Sequence, residues 1–314
     1  MPDALRLTLG EGATPLVNFD PVPQLQLKRE DANPTGSHKD RAASYQLALA
    51  HAREERAVTI SSSGNAAIAT SRYAALHGIT AVVFVHPATD PDKLAAIDGA
   101  TTIVVVTERA INGAKHLARE LKIPNLRPST NPDAVVGYST LGAELADVPA
   151  DAVVLFATSG ATALAVAREL DRLESSLQVH VVQAEGSTGI VRPAEPITTA
   201  AVRSAPAGRL GVRRSRLARQ VMEAIAVHGG RGHVVDAERV AQAHEQLRSN
   251  GIVVSDESAA NLAVSEELVS EGLRVVCVIS GAPPAGGNGP ARIITAEDEF
   301  AALEAVRPLL GAQQ

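Results

Sequence analysis

Short apolar runs alternate along the chain with longer alanine-rich segments. The runs are rich in Val and Ile and mostly apolar on both faces, which is typical of strands buried within a parallel sheet. The predicted strands span residues 57–62, 80–87, 101–107, 151–158, 177–185 and 273–280. The predicted helices span residues 38–55, 64–77, 90–98, 108–121, 139–147, 160–174, 236–249 and 258–271. This alternation predicts an α/β protein with mainly parallel sheets.

Length and composition bound the class of protein. The 314 residues are enough for one large or two medium domains. Hydrophobic residues make up 45% of the chain but aromatic residues only 2%, so we expect a core of Ala, Val, Leu and Ile. The net charge of −6 and the scarcity of aromatic side chains argue against a nucleic-acid partner.

The only cysteine, Cys277, excludes an intrachain disulfide and a cysteine metal cluster, and we expect it to be a small buried hydrophobe. We expect no metal. The first residues lack the basic and apolar regions of a signal peptide, and no apolar run approaches the roughly 18 residues of a membrane span. The expectation is therefore a cytoplasmic protein with no membrane partner.

The stretch "SSSGNAAIATSRYAALHG" (61–78) leads from a predicted strand through serines and a glycine directly into a predicted helix. Free backbone N–H groups and the positive end of the helix dipole form an anion site at such a start. Gly64 would allow a ligand to approach the backbone closely. The alternative is an ordinary serine N-cap, but three serines with Gly-Asn exceed what a cap needs.

Two further strand ends carry polar side chains. The turn Thr158–Thr162 in "FATSGATALAVAREL" has the form of a phosphate cup, and Ser280 ends the last predicted strand. Neither a Walker loop nor the G-x-G-x-x-G fingerprint is present, which disfavours a Rossmann-type nucleotide binder. Taken alone, each of these could be a plain turn.

A single lysine, Lys39, stands at the start of a helix after the polar loop of "DANPTGSHKDRAASYQ" (31–46). It could be a phosphate ligand, a general base, a Schiff-base nucleophile or an exposed surface charge. One lysine, two anion-binding turns and a late serine would together suit a phosphorylated cofactor joined to a carboxylate substrate.

These motifs resemble the pyridoxal-phosphate enzymes of fold type II, the tryptophan synthase beta-like kind, and within them the threonine synthases. The resemblance begins with "KREDANPTGSHKDRAA" and "SSSGNAAIATSRYAALHGI" and continues through "GYSTLGAEL", "VVQAEG", "SDESAANLAV" and "VVCVISG". It implies two parallel-sheet α/β domains with pyridoxal 5'-phosphate in the interdomain cleft. Residues 1–42 and 139–314 would form a large domain, 43–138 a small inserted domain, and the chain a homodimer.

The resemblance also implies roles for individual residues. Lys39 would be the catalytic residue, binding the cofactor aldehyde and then moving protons. Asn65 would bind the cofactor's 3' oxygen, and Ser280 would face its pyridine nitrogen. The cofactor phosphate would be held by Thr158, Ser159, Gly160, Ala161 and Thr162, and the substrate α-carboxylate by the Asn65 loop with Ser62, Ser63, Gly64 and Ala66. The phosphate loop departs from the family's usual Gly-Ser-Gly-Gly-Thr at two glycines.

The implied activity is a lyase reaction on a small activated amino acid, plausibly O-phosphohomoserine, in which elimination and water addition give L-threonine. The alternatives are β-replacement or deamination of a serine- or threonine-like substrate, and a non-catalytic relative. Lys93, Arg41 and Arg72 are candidates for a substrate phosphate, against a reading as surface charges. The irregular stretch 186–215 is predicted to be a long surface loop. In and beside it, Arg209, Arg213, Arg214 and Arg216 form either a solvated face or a group near an anionic substrate.

Overall fold

The computed structural model describes residues 7–186, 189–191, 215–284 and 286–311. These residues form two compact units, each with its own sheet. The four-stranded unit is drawn from Met1–Glu11, Lys39–Gly137 and Pro284–Gln314, and the six-stranded unit from Gly12–His38 and Tyr138–Pro283. Most of the predicted loop 186–215, with Arg209, Arg213 and Arg214, lies outside the described residues.

The regular elements alternate as the hydrophobic pattern predicts. The strands are β1 (Leu16–Asn18), β2 (Leu25–Arg29), β3 (Ala57–Ser61), β4 (Thr80–Val85), β5 (Gly99–Val106), β6 (Ala152–Phe156), β7 (Gln178–Ala184), β8 (Gly232–Val235), β9 (Val275–Ile279) and β10 (Pro290–Thr295). The helices in the described part of the chain are α1 (Lys39–Ala52), α2 (Asn65–Leu76), α3 (Pro91–Ala96), α4 (Ala110–Leu121), α5 (Asp133–Leu145), α6 (Ala161–Arg172), α7 (Ala218–Val227), α8 (Ala237–Ser249), α9 (Asp256–Ser270) and α10 (Glu299–Gly311).

The six-stranded sheet has the order β1-β2-β9-β6-β7-β8 and is parallel except for the antiparallel pair of β1 and β2. Successive side chains of a strand point to opposite faces, so each central strand supplies two cores. Val154 of β6 packs in one core with residues of α8 and α9, and Val153 packs in the other with residues of α6 and α7. The parallel arrangement brings the carboxyl ends of β6 and β9 to the same edge of this sheet.

The four-stranded sheet has the order β10-β5-β4-β3 and is parallel throughout. One face packs against α1 and α2, and the other against α4 and α10. The predicted large domain, 1–42 and 139–314, includes the last residues of the chain. In the structure, Pro284–Gln314 belongs instead with the four-stranded unit, because β10 pairs with β5 and α10 packs on α4.

The six strands predicted from the sequence are β3, β4, β5, β6, β7 and β9, and each lies at its predicted place. The sequence did not predict β1, β2, β8 or β10. Three of these, β1, β8 and β10, are sheet edges; β1 and β10 are largely exposed and therefore lack a long apolar run. Helix α5 begins at Asp133, six residues before the predicted start at 139.

The expectation for Cys277 is confirmed, since its side chain is fully buried in β9 and burial raises the pKa of its thiol to about 12. Within the described residues, no helix combines the length and the apolar character that are needed to cross a membrane. The same residues include no cluster of three or more His, Cys, Asp or Glu side chains that could hold a metal ion.

Two buried histidines pair across neighbouring strands of the six-stranded sheet. Nδ1 of His180 on β7 lies 3.0 Å from Nε2 of His233 on β8. Burial and the neighbouring His233 lower the pKa of His180 to about 4, and burial also lowers the pKa of His233. The ring of His180 is therefore neutral in the folded chain near pH 6, whereas an unfolded histidine with a pKa of about 6.5 binds protons there.

We expect the free energy of unfolding to fall as the pH is lowered from about 6.5 to about 4, because the unfolded state binds more protons in that window. The His180→Asn variant should lose less stability over this window than the wild-type chain. Urea unfolding midpoints at several pH values measure the slope. His86→Asn, at an exposed histidine, is the control and should keep the wild-type slope. Equal slopes in the wild type and His180→Asn would contradict the assignment.

Candidate active site

Lys39 is the first residue of α1 and is partly buried. The loop before it is shaped by a turn in which the N–H of Gly36 donates to the carbonyl of Asn33 at 2.8 Å, with Gly36 in the left-handed region at φ +83°. The buried Asn33 amide is itself fixed, because its Nδ2 donates to the carboxylate of Glu30 at 3.0 Å. The backbone that leads into Lys39 is thus held by buried polar contacts.

His38, which the sequence did not single out, anchors this loop to the end of β9. Its backbone N–H and its ring Nδ1 both lie within hydrogen-bond distance of the Ser280 carbonyl oxygen, at 3.0 and 2.8 Å. A carbonyl oxygen can only accept, so Nδ1 of His38 carries the proton. The sequence offers one signal for His38, its position next to Lys39.

The loop Ser62–Ala66 connects the end of β3 to the start of α2. Ser62 Oγ accepts the N–H of Gly64 at 3.3 Å, which shapes the turn. No side chain caps α2, so its first N–H groups have no partner of that kind. A Cβ added at Gly64 would meet nothing within 4 Å, which means that open space adjoins this backbone. The loop has the form of an anion site, as the sequence indicated.

Glu11 links α1 and α2 through residues that come after the first turn of each helix. Its carboxylate accepts hydrogen bonds from Ser44 of α1 at 2.5 Å and from Tyr73 of α2 at 2.8 Å. Burial alone would raise the pKa of Glu11, but hydrogen bonds from Ser44, Thr8 and Tyr73 outweigh burial and lower the pKa to about 2. An ionised carboxylate therefore braces the two helices that begin at Lys39 and Asn65.

The turn Thr158–Thr162 leads from β6 into the first residues of α6, and Gly160 is the N-cap of this helix. Gly160 has φ +85°, and a Cβ at this position would lie 2.6 Å from Cγ2 of Val221. Thr158 and Ala161 stand where the resembling family has glycines, but neither has a positive φ. The one position of this turn that requires glycine has kept it, so the two replacements leave the backbone shape intact.

Ser280 directly follows β9 and is 9% exposed. Its Oγ lies 3.3 Å from Oγ of Ser258, a fully buried residue in the first turn of α9. Ser258 Oγ also lies 3.2 Å from the carbonyl oxygen of Gly281. The Ser280 hydroxyl is thus within reach of another hydroxyl. Ser258 falls in the "SDESAANLAV" stretch, but only the fold reveals its contact.

The sequence-predicted site residues are grouped within each unit. In the six-stranded unit, Thr158–Thr162 and Ser280 follow neighbouring parallel strands, β6 and β9. In the four-stranded unit, Lys39 and the Ser62–Ala66 loop stand at the starts of α1 and α2, which pack together.

The three cations expected at a substrate phosphate have other surroundings. Arg72 is about half exposed and pairs with Asp98 at 3.3 Å. Lys93 is exposed on α3. Arg41 is buried, at 3% exposure, and has interactions of its own.

These groups fit pyridoxal phosphate chemically. A lysine amine suits the aldehyde, a glycine-pivoted turn at a helix start suits a phosphate, and a hydroxyl suits a pyridine nitrogen. The cradle around Gly160 supports this fit, because a side chain there would collide with Val221 and disturb the turn.

Comparisons with known proteins agree with this chemistry. The family model "Pyridoxal-phosphate dependent enzyme" matches residues 7–281. The chain is 30% identical to the threonine synthase of Methanosarcina acetivorans over 307 residues, covering 88% of this chain and 75% of that protein. It is 30% identical to the threonine synthase of Mycobacterium leprae over 303 residues, covering 88% and 82%.

The fold also matches solved structures. A pyridoxal 5'-phosphate-dependent aspartate racemase superposes with a TM-score of 0.74 at 20% identity, covering 86% of this chain and 90% of the racemase. At that identity the likeness concerns the fold, which is the fold type II arrangement of parallel α/β sheets. The chain therefore belongs to the family of pyridoxal-phosphate dependent enzymes, with the fold type II architecture and a relationship to the threonine synthases.

Proposed function

We propose that this chain is a threonine-synthase-like lyase that converts O-phosphohomoserine to L-threonine. In this reaction the C–O bond at the γ carbon breaks, phosphate leaves, and water adds at the β carbon. The similarity to threonine synthases supports the choice of substrate. The observation that carries the reaction class is the hydroxyl of Ser280 at the end of β9, with Ser258 as its neighbour.

A hydroxyl at Ser280 suits elimination better than transamination. Pyridoxal phosphate supplies an electron sink that stabilises negative charge on the substrate carbons. A serine facing the pyridine nitrogen, unlike an aspartate, leaves that nitrogen largely unprotonated and so moderates the sink. Ser258 would hold the Ser280 hydroxyl in place, because its own Oγ is fixed by the backbone of Gly281.

Lys39 would bind the cofactor through its amine and later move protons among the substrate carbons. The backbone N–H and the ring Nδ1 of His38 both donate to the Ser280 carbonyl oxygen and fix the loop before Lys39. This fixed loop limits the positions that the Lys39 amine can reach. Asn65, the first residue of α2, would donate to the cofactor's 3' oxygen. The Glu11 carboxylate would keep Lys39 and Asn65 in a fixed relation by bracing their helices.

The two helix starts would divide the anionic groups between them. The Thr158–Thr162 turn would hold the cofactor phosphate, using backbone N–H groups and the hydroxyls of threonine and serine. The Ser62–Ala66 loop would hold the substrate α-carboxylate. Both sets of donors are neutral, so each can bind an anion without a fixed countercharge. The cleft location of the cofactor and the homodimer remain predictions from the resemblance.

Replacing Lys39 should remove the covalent attachment of the cofactor. The wild-type protein is expected to absorb at about 410–420 nm and to bleach with borohydride, as lysine-bound pyridoxal phosphate does. Lys39→Ala should lose this band and at least about 10³-fold in turnover, because it lacks both the attachment and the proton carrier. Lys115→Ala, at an exposed lysine of α4, should keep both. A persisting band in Lys39→Ala would rule out the assignment.

Gly160→Ala should weaken cofactor binding. A left-handed φ disfavours alanine, and the new Cβ would collide with Val221, so we expect a loss of about 10-fold or more in affinity for pyridoxal phosphate. Equilibrium dialysis measures this loss directly. Gly251→Ala is the matched control, since Gly251 also has a positive φ but an open surround. Equal affinities in the two variants would contradict the phosphate role.

The substrate assignment is tested by product analysis. Wild-type enzyme incubated with O-phosphohomoserine should release inorganic phosphate and L-threonine in equal amounts. The alternative enzymes, which deaminate or β-substitute serine- or threonine-like substrates, would instead release ammonia and a 2-oxo acid or a β-substituted amino acid. Parallel incubations with L-serine and L-threonine test these alternatives. If only the alternative products form, the threonine synthase assignment is wrong while the cofactor assignment stands.

A further inference from the structure

An arginine that the sequence did not single out, Arg127, lies close to the proposed substrate loop. The segment before Arg127 runs parallel to β3 as an added edge. The N–H of Thr59 donates to the carbonyl of Pro124 at 2.9 Å, and the N–H of Leu126 donates to the carbonyl of Thr59 at 2.8 Å. Asn125 forms a parallel bridge with Thr59, so Arg127 comes level with Ser61, the last residue of β3.

The alternation of side chains assigns Arg127 to one face of this sheet. Leu126 is 2% exposed and packs in the same core as Val58 and Ile60 of β3. Side chains one residue further along a strand-like segment face the other way. Arg127 and Ser61 therefore share the opposite face, at the carboxyl end of β3, where the chain continues into the Ser62–Ala66 loop.

Both side chains lack a partner. Across the described residues, the guanidinium of Arg127 takes part in no recorded ion pair or hydrogen bond, although it is partly buried. Burial lowers the pKa of Arg127 from its ordinary value. The hydroxyl of Ser61 is buried and has no hydrogen-bond partner in the described part of the chain. A buried polar group without a partner is costly, so the Ser61 hydroxyl beside the partly buried guanidinium of Arg127 favours a ligand on this face.

The backbone around Arg127 is fixed in advance. Its N–H donates to the side-chain oxygen of Asn125 at 3.1 Å, and its carbonyl accepts the N–H groups of Thr130 and Asn131, each at 3.0 Å. The amide of Asn131 in turn donates to the carbonyl of Asn125 at 3.0 Å. A turn braced at both ends presents Arg127 without further ordering, which favours tight binding of a ligand.

We propose that Arg127, together with the Ser61 hydroxyl, binds a second anionic group of the substrate, distal to its α-carboxylate. This inference rests on the proposed function in one respect, that the Ser62–Ala66 loop takes the α-carboxylate. Arg127 then selects amino acids whose side chain ends in a phosphate or a carboxylate. A guanidinium matches either group with two parallel hydrogen bonds. In this proposal Arg127 is the cation that determines specificity.

The test compares anionic and neutral ligands on the pyridoxal-phosphate-loaded enzyme. The phosphate arm uses an amino acid with a phosphonate in place of the phosphate ester, which cannot be eliminated. The carboxylate arm uses L-glutamate, and the neutral arm uses L-norvaline. Calorimetry gives each dissociation constant for wild type, Arg127→Gln and Arg127→Lys. Arg119→Gln, at an exposed arginine of α4, is the control.

Arg127→Gln should weaken binding of the preferred anionic ligand by about 10–100-fold, as expected for a lost charge-assisted pair, and leave norvaline unchanged. Arg127→Lys should be intermediate, because it keeps the charge but not the planar fork. The arm with the larger change identifies phosphate or carboxylate as the natural group. Equal changes for anionic and neutral ligands, or no change for either anion, would overturn the proposal.

Thermal stability separates ligand binding from a structural role. Removing an unpaired, partly buried charge relieves a desolvation cost, so Arg127→Gln should melt no lower than wild type without ligand. A clearly lower melting temperature would instead show that Arg127 supports the fold, and would sink the inference. The product analysis on wild-type enzyme does not involve Arg127 variants, so the proposed function stands or falls separately.

Discussion

The carbonyl oxygen of Ser280 accepts two hydrogen bonds from His38, and much of the site depends on this contact. It joins two positions that are 242 residues apart in the chain. Further contacts continue it: Ala282 donates its N–H to the carbonyl of Gly36, and Ser37 forms a bridge with Gly281. The loop that leads into Lys39 is thus built onto the end of β9, a strand held between β2 and β6. A glycine turn alone could not fix that loop, because a free turn has many conformations.

Small side chains make the packing behind the site possible. The chain has no Trp and few other aromatic residues, and α1 is rich in buried alanine. Close approach then depends on glycine at particular points. A Cβ at Gly137 in α5 would lie 2.6 Å from the carbonyl oxygen of Arg41 in α1. With so little apolar bulk between helices, polar clamps such as the Glu11 carboxylate carry more of their alignment.

The fold was predictable where a strand is apolar on both faces. Strands β4, β6 and β9 are apolar on both faces and were predicted, whereas β1 and β10 are exposed edges and were not. The site divides in the same way. Residues that follow strand ends, such as Ser280, were predictable, because parallel strands collect their carboxyl ends at one edge. His38, Ser258 and Arg127 were not, since their importance arises from contacts with residues distant in the chain.

In the proposed site, the cofactor phosphate stays bound while the substrate's leaving group departs, and this difference explains where a charged side chain is needed. The cofactor phosphate is retained through every turnover, and neutral N–H groups at a helix start can hold it without a cation. A leaving group needs a site that is strong before the bond breaks and still releases the product. An arginine without an intramolecular partner meets this need, because its binding strength depends only on the ligand's own charge and geometry. The cost of leaving Arg127 and Ser61 unpaired would be offset only when an anionic substrate binds. An unpaired charge at this place would therefore favour an anionic substrate over a neutral one.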